Sequence, residues 1–170
     1  MVKQFFCLLI AALYLIGPDQ IRSVRAESEN DYYRIIPIMT PRAQTESRSK
    51  NWKPAPGDLV LEVSGIAVLD DQRVAVAIRK GEIWILDGVY DDPPKNVIYK
   101  RFATALHEPL GLIWKDDAFY TVQRSELTRI RDTNGDGTAD EYLTVEKGWG
   151  VTGHYHAYAY GPQLDHDGNL

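Results

Sequence analysis

From Leu59 onward the chain is a succession of short β-branched and aromatic runs set apart by turn residues, and this cadence restricts the fold more than any other feature. The first four runs are G-I-A-V-L-D (65–70), R-V-A-V-A-I (73–78), E-I-W-I-L-D (82–87) and N-V-I-Y-K-R-F (96–102). The next four are L-G-L-I-W-K (110–115), A-F-Y-T-V-Q (118–123), L-T-R-I-R-D (127–132) and E-Y-L-T-V-E (141–146). Val, Ile, Tyr and Trp suit a pleated, half-buried surface, and runs of this length bounded by Asp, Gly and Asn read as strands. After residue 30 no stretch carries a capped helical period. The expected class is all-β.

The eight runs make two quartets that superpose. Gly65-Ile66 falls on Gly111-Leu112, Asp70-Asp71 on Asp116-Asp117 and Arg79 on Arg124, an offset of 45 or 46 residues. The same offset carries Glu82-Ile83-Trp84-Ile85 onto Leu127-Thr128-Arg129-Ile130. A third copy opens at H-A-Y-A-Y-G-P-Q-L-D-H-D-G-N-L, where Gly161 follows Gly111 by 50 residues. It would supply one strand, the turn Asp165-His166-Asp167-Gly168 and the start of a second strand. Four strands per repeat at this period predict the blades of a β-propeller, with an ordinary β-sandwich as the competing arrangement. Residues 58–170 would hold about two and a quarter blades, whereas a closed ring needs roughly four to eight. The expectation is therefore an incomplete propeller, with an apolar sheet face and an edge open to association. Trp84 and Trp114 belong to the packing between blades, and the recurrence of Arg79 and Arg124 points to blade packing as well.

The N-terminus reads as an address. Lys3 precedes a 12-residue apolar run, Phe5 to Ile16, which Gly17-Pro18 breaks. A helix of that length rises only about 18 Å, short of a hydrocarbon core of about 30 Å. With Val24-Arg25-Ala26 after it, residues 1–26 are expected to be a signal peptide cleaved after Ala26, leaving no transmembrane span. Cleavage would remove Lys3, Arg22, Arg25 and Asp19, so the mature chain would carry 16 basic and 23 acidic side chains. It would also lose Cys7, the single cysteine. A cysteine-free acidic protein suits an exported, periplasmic or secreted setting and excludes a disulfide framework. Nothing basic enough for nucleic acid is present. Residues 27–57, punctuated by Pro37, Pro41, Pro54 and Pro56, read as an extended lead-in from which Ile35, Ile36 and Ile38 could dock one strand.

Two constellations carry chemistry. In D-T-N-G-D-G-T-A-D-E, oxygen ligands fall at loop positions 1, 3, 5 and 9 (Asp132, Asn134, Asp136, Asp140). Gly137 stands at position 6 and the Thr138 carbonyl at position 7. This is the donor pattern of a calcium loop, although Leu143 stands at position 12 where Glu is usual. The alternative is a solvated acidic hairpin turn. The second constellation is G-W-G-V-T-G-H-Y-H-A-Y-A-Y-G-P (148–162). His107 precedes Gly111 by four residues and His156 precedes Gly161 by five, so both are expected at the entry to successive innermost strands. His154 and His156 would point the same way along a strand. Imidazoles there could take a proton from an alcohol, hold a metal as His-x-His, or merely cap backbone carbonyls.

With these residues in view the chain resembles the soluble quinoprotein glucose dehydrogenase superfamily, six-bladed propellers that oxidise sugars with pyrroloquinoline quinone. It also resembles exported propeller-bearing membrane-bound dehydrogenase proteins of planctomycete-type bacteria, often joined to cytochrome c or haem modules. The likeness runs from V-S-G-I-A-V-L-D-D-Q-R-V-A-V-A-I-R-K-G-E-I-W through E-P-L-G-L and the 132–141 loop to H-A-Y-A-Y-G-P. It implies a sugar or alcohol substrate, His156 as general base with His154 competing for the role, and His107 in the region of a cofactor contact. A carbohydrate- or protein-binding propeller without catalysis, and a lactonase-like metal hydrolase using His154 and His156, are the competing functions.

Overall fold

The computed structural model describes residues 28, 31–38 and 62–170. The expected signal peptide, and the lead-in apart from residues 28 and 31–38, lie outside the described residues. Residues 33–38 form no strand, and Ile35 is 82% exposed, so the expected lead-in strand is not formed there. Among the described residues no helix is long and apolar enough to cross a membrane.

Residues 62–170 are all-β. Strands β1 (Val63–Val68), β2 (Val74–Ile78), β3 (Glu82–Asp87) and β4 (Ile98–Ala103) form one antiparallel sheet in the order β1-β2-β3-β4. Strands β5 (Ile113–Lys115), β6 (Ala118–Val122), β7 (Leu127–Arg131) and β8 (Glu141–Glu146) form a second in the order β5-β6-β7-β8. Short connections suffice because each strand pairs with its sequence neighbour.

The pairing registers define which residues of the two sheets correspond. Val76 pairs with Trp84 and Thr121 with Thr128, while Leu86 pairs with Tyr99 and Ile130 with Tyr142. Gly65 thus matches Gly111, Val76 matches Thr121, Trp84 matches Thr128 and Tyr99 matches Tyr142, so each turn of the second sheet is one residue shorter. The expected alignment of Trp84 with Arg129 is corrected to Thr128, because the loop after Arg124 is a residue tighter than the loop after Arg79. Even the β-bulge recurs, between Ile83 and Trp84 and again between Leu127 and Thr128.

Unlike faces of the two sheets meet. The shared core joins Ala67, Leu69, Ala75, Ala77, Ile83, Ile85 and Phe102 of the first sheet to Leu112, Phe119 and Ile130 of the second. The first-sheet counterparts of Phe119 and Ile130 are Val74 and Leu86, which lie on the opposite face with Val76, Ile78, Trp84 and Tyr99. The sheets therefore stack in the same orientation, front on back. Phe119 is the keystone, edge-on to Phe102 at 5.0 Å between ring centroids and tilted against Trp114 at 4.7 Å. Such aromatic pairs add about 0.5–1.5 kcal/mol each beyond the area they bury.

Glycine makes the inner approach achievable. A Cβ on Gly65 would lie 2.5 Å from the Gly111 carbonyl carbon, and one on Gly111 would overlap the Gly161 carbonyl oxygen. Gly161 N–H donates to Leu110 O (2.9 Å) and Val122 N–H to Gly161 O (3.3 Å), which ties the third copy to the second. No ladder forms over residues 147–170, so the expected third first-strand is present only as this attachment. The turn after it does form, with Asp165 N–H donating to Asn169 O at 2.9 Å, as Leu69 N–H donates to Arg73 O at 2.9 Å in the first copy.

Candidate functional site

Strand order alone sends the β2–β3 loop, the β4–β5 link, the β6–β7 loop and the segment after β8 to one end of the sheets. An ion-pair ladder runs across this end. Arg79 reaches Glu62 (Nη2 to Oε2, 3.1 Å) and Glu108 (Nη1 to Oε1, 3.4 Å), and Arg124 reaches the other oxygen of Glu108 (Nη1 to Oε2, 2.9 Å). Lys80 sits 3.6 Å from Glu62. The Arg124 guanidinium also lies 5.2 Å from the Tyr158 ring centroid, where a cation is attracted to the ring face. The Glu62 charge holds the Arg79 guanidinium above its ordinary value, outweighing the opposing effect of burial. Glu62 and Glu108 both adopt positive φ, 46° and 48°, at matching positions of the repeat. The 46-residue spacing of these two glutamates is the signal that would have found them in the sequence.

All three expected histidines are at this end. The His107 carbonyl accepts from Arg124 N–H (3.2 Å), and its own N–H is taken by the Gln123 side-chain oxygen (2.5 Å). Arg124 Nη2 donates to the His154 carbonyl at 3.3 Å, so one arginine touches both segments. His154 and His156 are exposed, with ring centroids 5.7 Å apart. His154 Nδ1 accepts the His156 backbone N–H at 3.2 Å. In the neutral ring the proton is then on Nε2, which makes His154 a donor. A hollow of about 430 Å³ opens at the Arg79–Glu62 pair, lined by Glu62, Val63, Ser64, Arg79, Leu110 and Tyr160, and none of the three histidines lines it.

A quinone bearing carboxylates needs uncompensated cations. Arg79, Lys80 and Arg124 each face Glu62 or Glu108. The cations at this end of the sheets therefore do not fit that cofactor.

The 132–140 loop is at the other end, between β7 and β8. Asp132 accepts the N–H groups of Gly135 (2.7 Å) and Gly137 (2.6 Å), Asn134 that of Asp136 (2.9 Å) and Asp136 that of Thr138 (2.8 Å). Asp140 accepts both the N–H and the hydroxyl of Thr133 at 2.9 Å. Desolvation opposes the charge on Asp132, but these N–H groups prevail and hold its carboxyl below the usual range. Lys100 donates to the Asp136 carbonyl (2.8 Å) and Ala139 N–H to Phe102 O (2.8 Å), so the loop is pinned to the first sheet. The donors are the hard oxygens calcium prefers. Among the described residues, however, no three His, Cys, Asp or Glu side chains are gathered as a metal cage.

Compared with protein-family models, curated proteins and solved structures, the chain matches none of them.

Proposed function

We propose that residues 58–170 are consecutive blades of an exported β-propeller of the sugar and alcohol dehydrogenase type, whose substrate end carries His107, His154 and His156. One observation supports the reading above all: two matching four-stranded units stack front on back, with their first-strand glycines in contact. A sandwich of two such units related by a two-fold axis would bring like faces together; front-on-back stacking repeats and closes into a ring when the rotation allows. At the substrate end His156 would take the hydroxyl proton of a sugar or small alcohol, while the protonated nitrogen of His154 would donate to a neighbouring oxygen. Arg124, braced by Glu108, would hold the segment that bears both rings. Were a quinone the oxidant, residues other than Arg79, Lys80 and Arg124 would have to hold it, and the 132–140 loop would brace β7 and β8 if calcium bound there. A fused or partner cytochrome would accept the electrons.

The test is dye reduction by the protein supplied with aldoses, pyrroloquinoline quinone and calcium. Turnover that disappears in His156→Ala is expected. A second reading, a propeller that binds carbohydrate without turning it over, is favoured by the neutralised arginines; saturable sugar binding with no dye reduction would establish it. The metal-hydrolase reading would require a transition ion that is lost in His154→Ala.

A further inference from the structure

We propose that the cleft between β4 and the β7–β8 pair is a binding site for a neutral, hydroxyl-rich small molecule of monosaccharide size. It does not rest on the reading above, because it involves none of the histidine side chains. The cleft has a volume of about 670 Å³, within the roughly 300–1,000 Å³ of small-molecule sites.

The repeat explains why the space exists. In the first sheet Trp84, fully buried, fills this position, and its indole N–H donates to Glu82 Oε2 at 3.1 Å. In the second sheet the matching pair is Thr128 and Glu126, and the Thr128 hydroxyl donates to Glu126 Oε1 at 2.6 Å. The hydrogen bond is kept and the bulk of the indole is gone. Ile78 is likewise replaced by Gln123, whose side-chain N–H donates to Thr128 Oγ1 at 2.7 Å. A wall that is apolar in one copy has become polar in the next, with Gln123 and Thr128 more than nine-tenths buried. Burying polar groups costs free energy unless they are satisfied. These are satisfied by one another, which preorganises the wall.

The lining sets the ligand chemistry. Glu126 and Arg101 contribute one charge of each sign, so a neutral ligand is favoured over an ion. Glu126 Oε2 also accepts the Thr144 hydroxyl at 2.9 Å. A carboxylate has about four lone-pair sites, which leaves two for the vicinal hydroxyls of a ligand. The Tyr142 oxygen accepts Thr104 N–H at 3.3 Å, which leaves its own O–H to donate. Its ring, with Phe102, offers an apolar wall to the C–H face of a pyranose.

Titration calorimetry of the full chain with glucose, galactose and mannose tests this, with gluconate and glucosamine as charged comparators. Saturable binding of at least one neutral hexose is expected. Thr128→Trp restores the first copy's own residue and should remove binding while the circular dichroism spectrum is kept. Glu126→Gln should weaken binding about tenfold, and it decides the matter by itself if the tryptophan variant does not fold. No saturable binding of any neutral hexose, tighter binding of gluconate or glucosamine, or undiminished binding by either folded variant would overturn the proposal.

Discussion

Alanine at four glycines separates the two costs that the inner approach of the sheets imposes. Gly65 has ordinary backbone, but its Cβ would lie 2.5 Å, 2.6 Å and 2.8 Å from backbone atoms of Gly111 and Leu112. Those atoms cannot rotate away, so Gly65→Ala must push β1 off the second sheet, and overpacking of that kind costs about 1–3 kcal/mol. Gly135 is the reverse case, with φ +77° and nothing within 4 Å of its Cβ. Gly135→Ala carries only the left-handed penalty, about 1–2 kcal/mol. Gly111 combines both burdens, with φ +118° and a Cβ directed at the Gly161 carbonyl. Gly111→Ala should therefore cost about 2–5 kcal/mol, the sum of the two. Gly150 has neither and is the control; alanine there should be neutral or stabilise by up to about 1 kcal/mol. Urea unfolding followed by tryptophan fluorescence reads all four, since Trp84 and Trp114 report on the core. Gly65→Ala unfolding with the same midpoint as Gly150→Ala would refute the close approach of the first strands.

Phe119→Ala should lose about 3–5 kcal/mol in the same assay, because a fully buried ring between Phe102 and Trp114 leaves a cavity that two sheets cannot close. Glu108→Gln should destabilise by about 1–3 kcal/mol, since Arg79 and Arg124 share that carboxylate; a double-mutant cycle with Arg124→Gln measures the coupling. Acid should weaken the 132–140 hairpin. Backbone N–H groups depress the Asp132 carboxyl, with desolvation opposing them, and the Arg131 hydrogen bond depresses that of Glu141. Groups with lowered folded values stabilise above the unfolded value of about 4 and lose that contribution as pH falls through the folded one. The protection factors of the Gly135 and Gly137 amides, with the intrinsic pH dependence of exchange divided out, should therefore fall below pH ~4, and Asp132→Asn should exchange faster already at neutral pH.

The alternation of β-branched residues made the strands legible: β3 and β8 coincide with the E-I-W-I-L-D and E-Y-L-T-V-E runs. At β5 the ladder begins only at Ile113, because Leu110 and Gly111 bond instead to Val122 and Thr121. The third copy illustrates the same limit. Its residues have strand character, but a ladder needs a partner strand. The residue-by-residue match was less legible, because each turn sheds one residue and the offset drifts from strand to strand. A constant offset sets Trp84 against Arg129 and hides the Trp84-to-Thr128 exchange that opens the cleft. For the candidate site, spacing sufficed to bring His107 and His154–His156 to one end. It could not show that His154 Nδ1 is already occupied, nor that Tyr158 lies under Arg124. Those depend on how an irregular segment folds back, for which local pattern supplies no rule.

The most direct test of the central claim is a crystal structure of the protein, read at the first strand of each successive four-stranded unit. The account predicts that every such strand brings its glycine against the one before, as Gly65 meets Gly111 and Gly111 meets Gly161, around one common axis with His107 and His156 at the same rim. First strands that share no axis, with the two sheets packed through their matching faces, would contradict it.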